Sequence, residues 1–324
     1  MPVPGFGTQL QDRAIDGFER EARLNIIWIE SAGTYPDGTP YTLRSPIPEV
    51  TQPYTAFNPV YQTLRGPRPV FGLGLLEAVP DQTLLAMSDA ADANGDGLSG
   101  RTNTVWDIRA QANAVGRFGW KASQPSLEQQ IDAAYVHDMG VTTSLFPVEA
   151  SAGQPQDDGL DDDPELDDER VADVVFYTQT LGVPARRDVN DSTVQEGEAL
   201  FDSIGCAGCH VPSLTSGTVA GIPEISNQTF FPYTDLLLHD MGEGLSNGRP
   251  DFDAEGSEWR TPPLWGLGLA DTITAAADDL HDARARSVEE AILWHAGEAE
   301  PSVNTFKALA ATARAALLRF LGSL

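Results

Sequence analysis

A mainly α-helical protein with a loop-rich, partly extended N-terminal region is predicted, and three observations predict it. Capped, amphipathic helical segments crowd into the second half of the 324 residues. Residues 1 to about 80 are rich in Pro and Gly, with short extended pieces such as Tyr41-Thr42-Leu43-Arg44. The only two cysteines fall in one pentapeptide, Cys206-Ala207-Gly208-Cys209-His210, directly behind a helical pattern. At a prior of about 150 residues per domain, the length suggests roughly two domains.

Composition narrows the class. Hydrophobic residues are 41% and charged residues 21%, which is globular usage. Against 20 Lys+Arg stand 48 Asp+Glu, a net charge of −28, so nucleic acid and anionic membrane surfaces are excluded as partners. Lys121 and Lys307 are the only lysines. No stretch reaches the ~18 apolar residues of a membrane span. The opening Met1-Pro2-Val3-Pro4-Gly5-Phe6 has neither the basic nor the apolar stretch of a signal peptide.

The elements follow in order. Asp81 to Ala91 carries a short helical pattern through Leu84, Leu85 and Met87, then runs into Asp92-Ala93-Asn94-Gly95-Asp96-Gly97, a turn-rich loop. Pro125-Ser126-Leu127-Glu128-Gln129 is a capping-box start for a helix reaching about His137. Residues 157–169 hold nine carboxylates in thirteen residues and read as a solvated linker, with a cation store or docking patch as the sharper reading. Pro164 opens a helix with Val171, Val174, Val175 and Leu181 on its apolar face. Ser192 to Ile204 is an amphipathic helix with Leu200, Phe201 and Ile204 on one side. Ser287-Val288-Glu289-Glu290 is a second capping box, and its helix ends near Gly297. A last helix carries Phe306, Leu309, Ala313, Leu317 and Phe320.

The chemistry lies in the pentapeptide. C-x-x-C-H attaches c-type haem: each thiol adds across a vinyl group, and the histidine that follows becomes an axial ligand of the iron. The competing readings are a thioredoxin-like dithiol, which needs no histidine, and half of a zinc site, which needs two more ligands from distant histidines. With both cysteines in the motif and a helix before and after it, one covalent haem c on Cys206, Cys209 and His210 is the reading adopted. Residues 1–150 are then a loop-rich N-terminal region, 151–190 an acidic linker and helix, and 191–324 a cytochrome c-type haem domain. Maturation of c-type haem places the chain in a bacterial periplasm, although no signal peptide is visible.

Many stretches resemble the bacterial di-haem oxidoreductase family of peroxidase-like proteins, often labelled thiol oxidoreductases. In the first half these are Gln9-Leu10-Gln11-Asp12-Arg13, Gly72-Leu73-Gly74-Leu75-Leu76-Glu77-Ala78, Asp96-Gly97-Leu98-Ser99-Gly100-Arg101 and Gly116-Arg117-Phe118-Gly119-Trp120-Lys121. In the second half they are Tyr233-Thr234-Asp235-Leu236-Leu237-Leu238-His239-Asp240-Met241-Gly242, Trp259-Arg260-Thr261-Pro262-Pro263-Leu264-Trp265 and Ala291-Ile292-Leu293-Trp294-His295. The resemblance implies kinship with di-haem cytochrome c peroxidases. It also implies a first C-x-x-C-H upstream of Gln9, so the chain is expected to be incomplete at its N-terminus and to lack the haem that handles peroxide. His281-Asp282-Ala283 departs from a usual His-Asp-Gly.

For the sixth ligand, the resemblance implies a residue fourteen positions after His281, which is His295. Val288, Ala291, Ile292 and His295 also share one helical face. Met241, in a Gly-rich loop, is the alternative, and His239, His281, Met87, Met139 and His137 complete the candidates. Arg260 and Arg284 are expected either to pair with haem propionates or to form ordinary ion pairs. Trp120, Trp265 and Trp294 are read as packing residues. Asp92, Asn94, Asp96 and Asn103 have the spacing of an incomplete calcium loop, with Asn103 where a bidentate Glu belongs; the alternative is an Asx-rich turn.

The expected function is electron transfer, as the second-haem half of a di-haem peroxidase-like oxidoreductase that serves a small redox protein or electron donor. Alone it should be a weak peroxidase, with His239 and Glu243 as the nearest acid–base groups. Two other readings compete: an active haem peroxidase in its own right, and a non-catalytic binding protein that has lost its first haem.

Overall fold

The computed structural model describes residues 3–59, 61–157, 159–273 and 278–324. Its main departure from expectation is in fold class. Helix accounts for 30% of the chain and strand for 17%, so the protein is not mainly α. Among the described residues, four separate two-stranded antiparallel ribbons interrupt the helices.

The largest ribbon explains the error. Strands β1 (Arg23–Thr34) and β2 (Pro40–Thr51) pair over their full length, from Arg23 opposite Thr51 to Thr34 opposite Pro40. Leu24-Asn25-Ile26-Ile27-Trp28-Ile29 has the β-branched and aromatic content that favours strands. Asp37-Gly38 turns the chain: Gly38 adopts φ 88°, and the Thr39 amide donates to Asp37 Oδ1 at 2.9 Å. Pro40, Pro46 and Pro48 are compatible with β2 because each strand of a two-stranded ribbon is an edge. The Pro content that suggested loop therefore sits in strand.

The other elements stay close to their sequence signals. After α1 (Leu73–Glu77), α2 spans Asp81–Met87, and β3 (Thr104–Asp107) pairs with β4 (Ala112–Val115). Helix α3 (Leu127–Ala134) is capped by Ser126, whose side chain accepts from the Gln129 amide. It continues as a π-turn over Tyr135–Met139. Helix α4 (Asp168–Thr180) starts later than Pro164, because Asp167 caps it by accepting from the Arg170 amide. Part of the acidic stretch before it is anchored: Thr142 donates its amide to Glu165 and its hydroxyl to Asp163. Asp158 of that stretch lies outside the described residues.

Helix α5 (Ser192–Ser203), capped by Asp191, leads to the cysteine motif. The short ribbons β5 (Leu214–Thr215) with β6 (Thr229–Phe230), and β7 (Leu238–Asp240) with β8 (Glu258–Arg260), follow it. Beyond α6 (Ala270–Ile273) come α7 (Val288–Trp294), α8 (Glu300–Ala308) and α9 (Ala311–Leu321). The single last helix expected from periodicity is thus two helices, broken at Leu309, whose ψ is 150°.

Among the described residues, two large apolar clusters and a small one of Ala122, Leu238 and Ala254 hold these elements. One large cluster joins Val194, Phe201, Leu293, Phe306, Leu317 and Phe320 from α5, α7, α8 and α9, and Tyr35 of the long hairpin completes it. The other joins Leu76, Leu84, Phe118 and Leu127 to Leu214, Phe230, Leu236 and Trp265. Each cluster takes side chains from both sides of residues 151–190. Helices α5 and α9 cross at Gly197, where a Cβ would lie 2.1 Å from the Ala316 carbonyl oxygen and 2.7 Å from Phe320 Cβ. Only glycine permits that approach, and it brings Phe320 against Phe201 at 5.4 Å.

Candidate functional site

The cysteines sit where α5 ends. Gly205, at φ 93°, stops the helix in the left-handed conformation and turns the chain into a short 3₁₀ turn over Cys206–Gly208. The His210 amide donates to the Cys206 carbonyl at 3.0 Å, which closes the motif into one compact turn. Both thiols are free. Burial pushes the Cys206 thiol up to about 12, and the neighbouring Cys209 adds to the effect. Burial also raises Cys209, against the opposing pull of His239, whose Nδ1 is 3.5 Å from the sulfur.

His210 lies under an aromatic wall. Its ring is 6.2 Å from Phe201, which in turn packs on Tyr233 and Phe320. Its Nδ1 is 3.0 Å from the Tyr233 carbonyl oxygen. A carbonyl only accepts, so Nδ1 carries the proton and Nε2 the lone pair. His295 is built the same way: its Nδ1 is 2.7 Å from the Ala291 carbonyl oxygen, one turn back in α7. The two rings stand 6.5 Å apart, centre to centre, at 44°. Each residue keeps some accessible surface, yet the rings are enclosed enough for desolvation to disfavour the imidazolium. Burial brings His210 down to about 4, with His295 a secondary cause, and burial lowers His295 as well. Both are neutral nitrogen donors at pH 7.

Met241 is close to this pair by way of the backbone. It begins the loop after β7, and a Cβ on the next residue, Gly242, would come within 3.3 Å of Ala296 Cβ. Met241 itself is half-buried, and its amide donates to the Ser257 carbonyl at 3.0 Å. His239 touches the Cys209 sulfur, and the remaining candidates have other partners. His281 stacks on Trp259 at 3.6 Å and 10° and meets the edge of Trp120. Burial takes it down to about 3, and Asp282 pulls weakly the other way. His137 is 3.2 Å from the Thr8 hydroxyl, beside Phe146. Met139 is exposed, and Met87 packs on the second apolar cluster.

Arg284 grips Asp282 through Nε and Nη2 and donates Nη1 to the Gly244 carbonyl. Arg260 donates to the carbonyls of Gly119 and Thr261. Both guanidinium groups therefore have protein partners. Trp120 donates to the Gly66 carbonyl, Trp265 packs on Phe230, and Trp294 carries the Arg284 guanidinium over its ring at 4.4 Å.

Asp92, Asn94 and Asp96 share one loop whose carboxylate and amide oxygens accept from Gly97, Asp96 and Leu98 amides. Asn103 is elsewhere. It is buried, and its amide donates to the carbonyls of Lys121 and Asp251.

The sequence points to His239 but not to the bridge it forms with Asp235 and Glu298. His239 is buried, with Nε2 2.8 Å from Asp235 Oδ2 and Nδ1 2.8 Å from Glu298 Oε2. Desolvation opposes its charge, but the bonds to Asp235, Cys209 and Glu298 prevail and raise its pKa strongly. Glu298 is held down to about 2: desolvation works against this, and bonds from His239, Ser99 and Asp240 outweigh it. Glu243, the expected acid–base neighbour, is exposed. Strand alternation does not mark His239 as inward-facing, because Leu238 beside it is buried as well, and its partner Glu298 is too distant in sequence to be paired by spacing.

Over residues 1–324 the chain matches the family described as "Di-haem oxidoreductase, putative peroxidase". It belongs to that di-haem oxidoreductase family. Among solved structures, a chain of Kuenenia stuttgartiensis hydrazine synthase, pressurised with xenon, is similar with 17% identity and a TM-score of 0.32. That likeness covers 48% of this chain and 55% of the other. No curated protein matches. No helix among the described residues is long and apolar enough to cross a membrane.

Proposed function

We propose that the chain is a c-type haem electron-transfer protein, the second-haem half of a peroxidase-like di-haem oxidoreductase working outside the cytoplasm. The carrying observation is the closeness of the His210 and His295 rings. With a metal–imidazole bond of about 2.0–2.1 Å and roughly 1.1 Å from nitrogen to ring centre, rings on opposite sides of one ion stand roughly 6.3 Å apart. The observed 6.5 Å agrees. The Cys206 and Cys209 thiols would hold the haem covalently, and the Nε2 lone pairs of His210 and His295 would hold its iron.

When bound, haem supplies a one-electron couple. The residues of the chain set its surroundings. The Tyr233 and Ala291 carbonyls orient the two ligand rings through Nδ1, which fixes the tautomer and strengthens Nε2 as a donor. Phe201, Tyr233 and Phe320 exclude water on the His210 side. With His210 and His295 both holding the haem, no position would stay open for peroxide, which would favour electron transfer over peroxide chemistry. Asp92, Asn94 and Asp96 are proposed as a weak calcium loop, without Asn103.

Steady-state turnover of hydrogen peroxide by the haem-loaded chain, with a reduced small cytochrome as donor, tests the reading. Slow turnover alongside rapid electron exchange with the donor is expected. Fast turnover that survives His295→Ala would overturn it.

A further inference from the structure

We infer that the buried Asp235–His239–Glu298 bridge is a strut that fixes the two faces of the haem site relative to each other and keeps His295 on the iron. This rests on the reading of His210 and His295 as the axial pair.

The bridge begins on the attachment side. The Asp235 amide donates to the Cys209 carbonyl at 3.1 Å, so Asp235 is tied to the residue next to His210. Its carboxylate meets His239 Nε2 at 2.8 Å, and His239 Nδ1 meets Glu298 at 2.8 Å. Carboxylates flank both ring nitrogens. An imidazole satisfying both must donate at both, so both links are charge-assisted.

The far end lies beside His295. Helix α7 closes at Trp294, and His295 itself is already extended, at ψ 132°. Beyond the cap, a single 3₁₀ turn over Gly297–Ala299 leads into α8, so only a short backbone turn follows His295. Glu298, three residues on, supplies the fixation. Besides His239 it accepts from the Ser99 hydroxyl at 2.6 Å, the Ser99 amide at 2.9 Å and the Asp240 amide at 3.1 Å. Backbone packing adds to this: a Cβ on Gly297 would lie 2.2 Å from the Asp240 carbonyl oxygen. A surface ion pair would contribute little, but these groups are enclosed, and removing one partner leaves a buried charge unpaired. Glu298 and His239 are positioning residues, acting through His295 rather than on the iron.

The test compares haem-loaded wild type, His295→Ala, Glu298→Ala and Glu298→Gln by ferric spin state and by carbon monoxide binding to the ferrous form. Glu298→Ala should raise the high-spin and carbon monoxide-binding fraction by about tenfold. Glu298→Gln, whose one oxygen can still accept from His239 and the Ser99 amide while its NH2 cannot accept from the Asp240 amide, should show a smaller rise than Glu298→Ala. A purely structural role would lower the melting temperature of Glu298→Ala and leave the haem low-spin and inert to carbon monoxide, which would overturn the proposal. If His295→Ala itself stayed low-spin, the ligand reading would fail instead. Should Glu298→Ala not load haem, Ser99→Ala and His239→Asn decide the matter. A smaller rise in both supports the strut, and wild-type behaviour in both refutes it.

Discussion

The His210 and His295 ring centres lie 6.5 Å apart with a 44° tilt, and each ring has Nδ1 on a backbone carbonyl. Two neutral imidazoles held this way have one free lone pair each, a geometry that suits a shared metal better than a hydrogen bond between them.

The attachment prediction follows from the turn that carries His210. Haem should be retained through denaturing electrophoresis by wild type and lost by the double variant Cys206→Ala/Cys209→Ala. The single variants should each keep one thioether and remain stained. Staining of the double variant would refute covalent attachment through this motif.

The α5–α9 crossing makes a second prediction. Gly197→Ala gains up to about 1 kcal/mol of helix propensity. Its Cβ, however, would sit 2.1 Å from the Ala316 carbonyl oxygen, so the helices must part. Overpacking typically costs about 1–3 kcal/mol, so net destabilisation is expected, measured as a lower urea midpoint at an unchanged slope.

The third concerns pH. His281 is buried against Trp259 and brought from 6.5 down to about 3, first by burial. Above pH 6.5 neither folded nor unfolded chain is protonated there, so the ring has no effect. As pH falls below 6.5 the unfolded chain takes up a proton that the folded one refuses, and stability declines until about pH 3. The loss from this ring should be of the order of a few kcal/mol. Urea unfolding of His281→Phe should therefore show a shallower decline over this range than wild type; equal slopes would contradict the account.

The fourth concerns the Asp92–Asp96 loop. Three side chains without a bidentate carboxylate should bind calcium at about 10⁻⁴–10⁻³ M. Calorimetric titration of wild type against Asp96→Ala checks this, and no heat from either would leave a plain Asx turn.

Legibility tracked locality. The caps at Ser126 and Ser287 were readable because the side chain and the amide it meets lie three residues apart. The motif at 206–210 was readable for the same reason. Of the long hairpin only Tyr41–Arg44, inside β2, was read as extended; β1 went unread, and the prolines of β2 suggested loop although an edge strand accepts residues that a sheet interior refuses. The break at Leu309 has no Pro or Gly to announce it; packing of Phe306 and Phe320 in one core decides it. Asn103 fitted the loop spacing but is drawn into the interior by the Lys121 and Asp251 carbonyls. The Asp235–His239–Glu298 bridge depends on β7 meeting the turn after α7, a tertiary event that no local pattern encodes.

The most direct test of the central claim is the ferric absorption spectrum of the haem-loaded chain beside His295→Ala and Met241→Ala. The account predicts a low-spin wild type without a methionine-to-iron band, a high-spin His295→Ala and an unchanged Met241→Ala. A low-spin His295→Ala together with a high-spin Met241→Ala would contradict it and make Met241 the ligand.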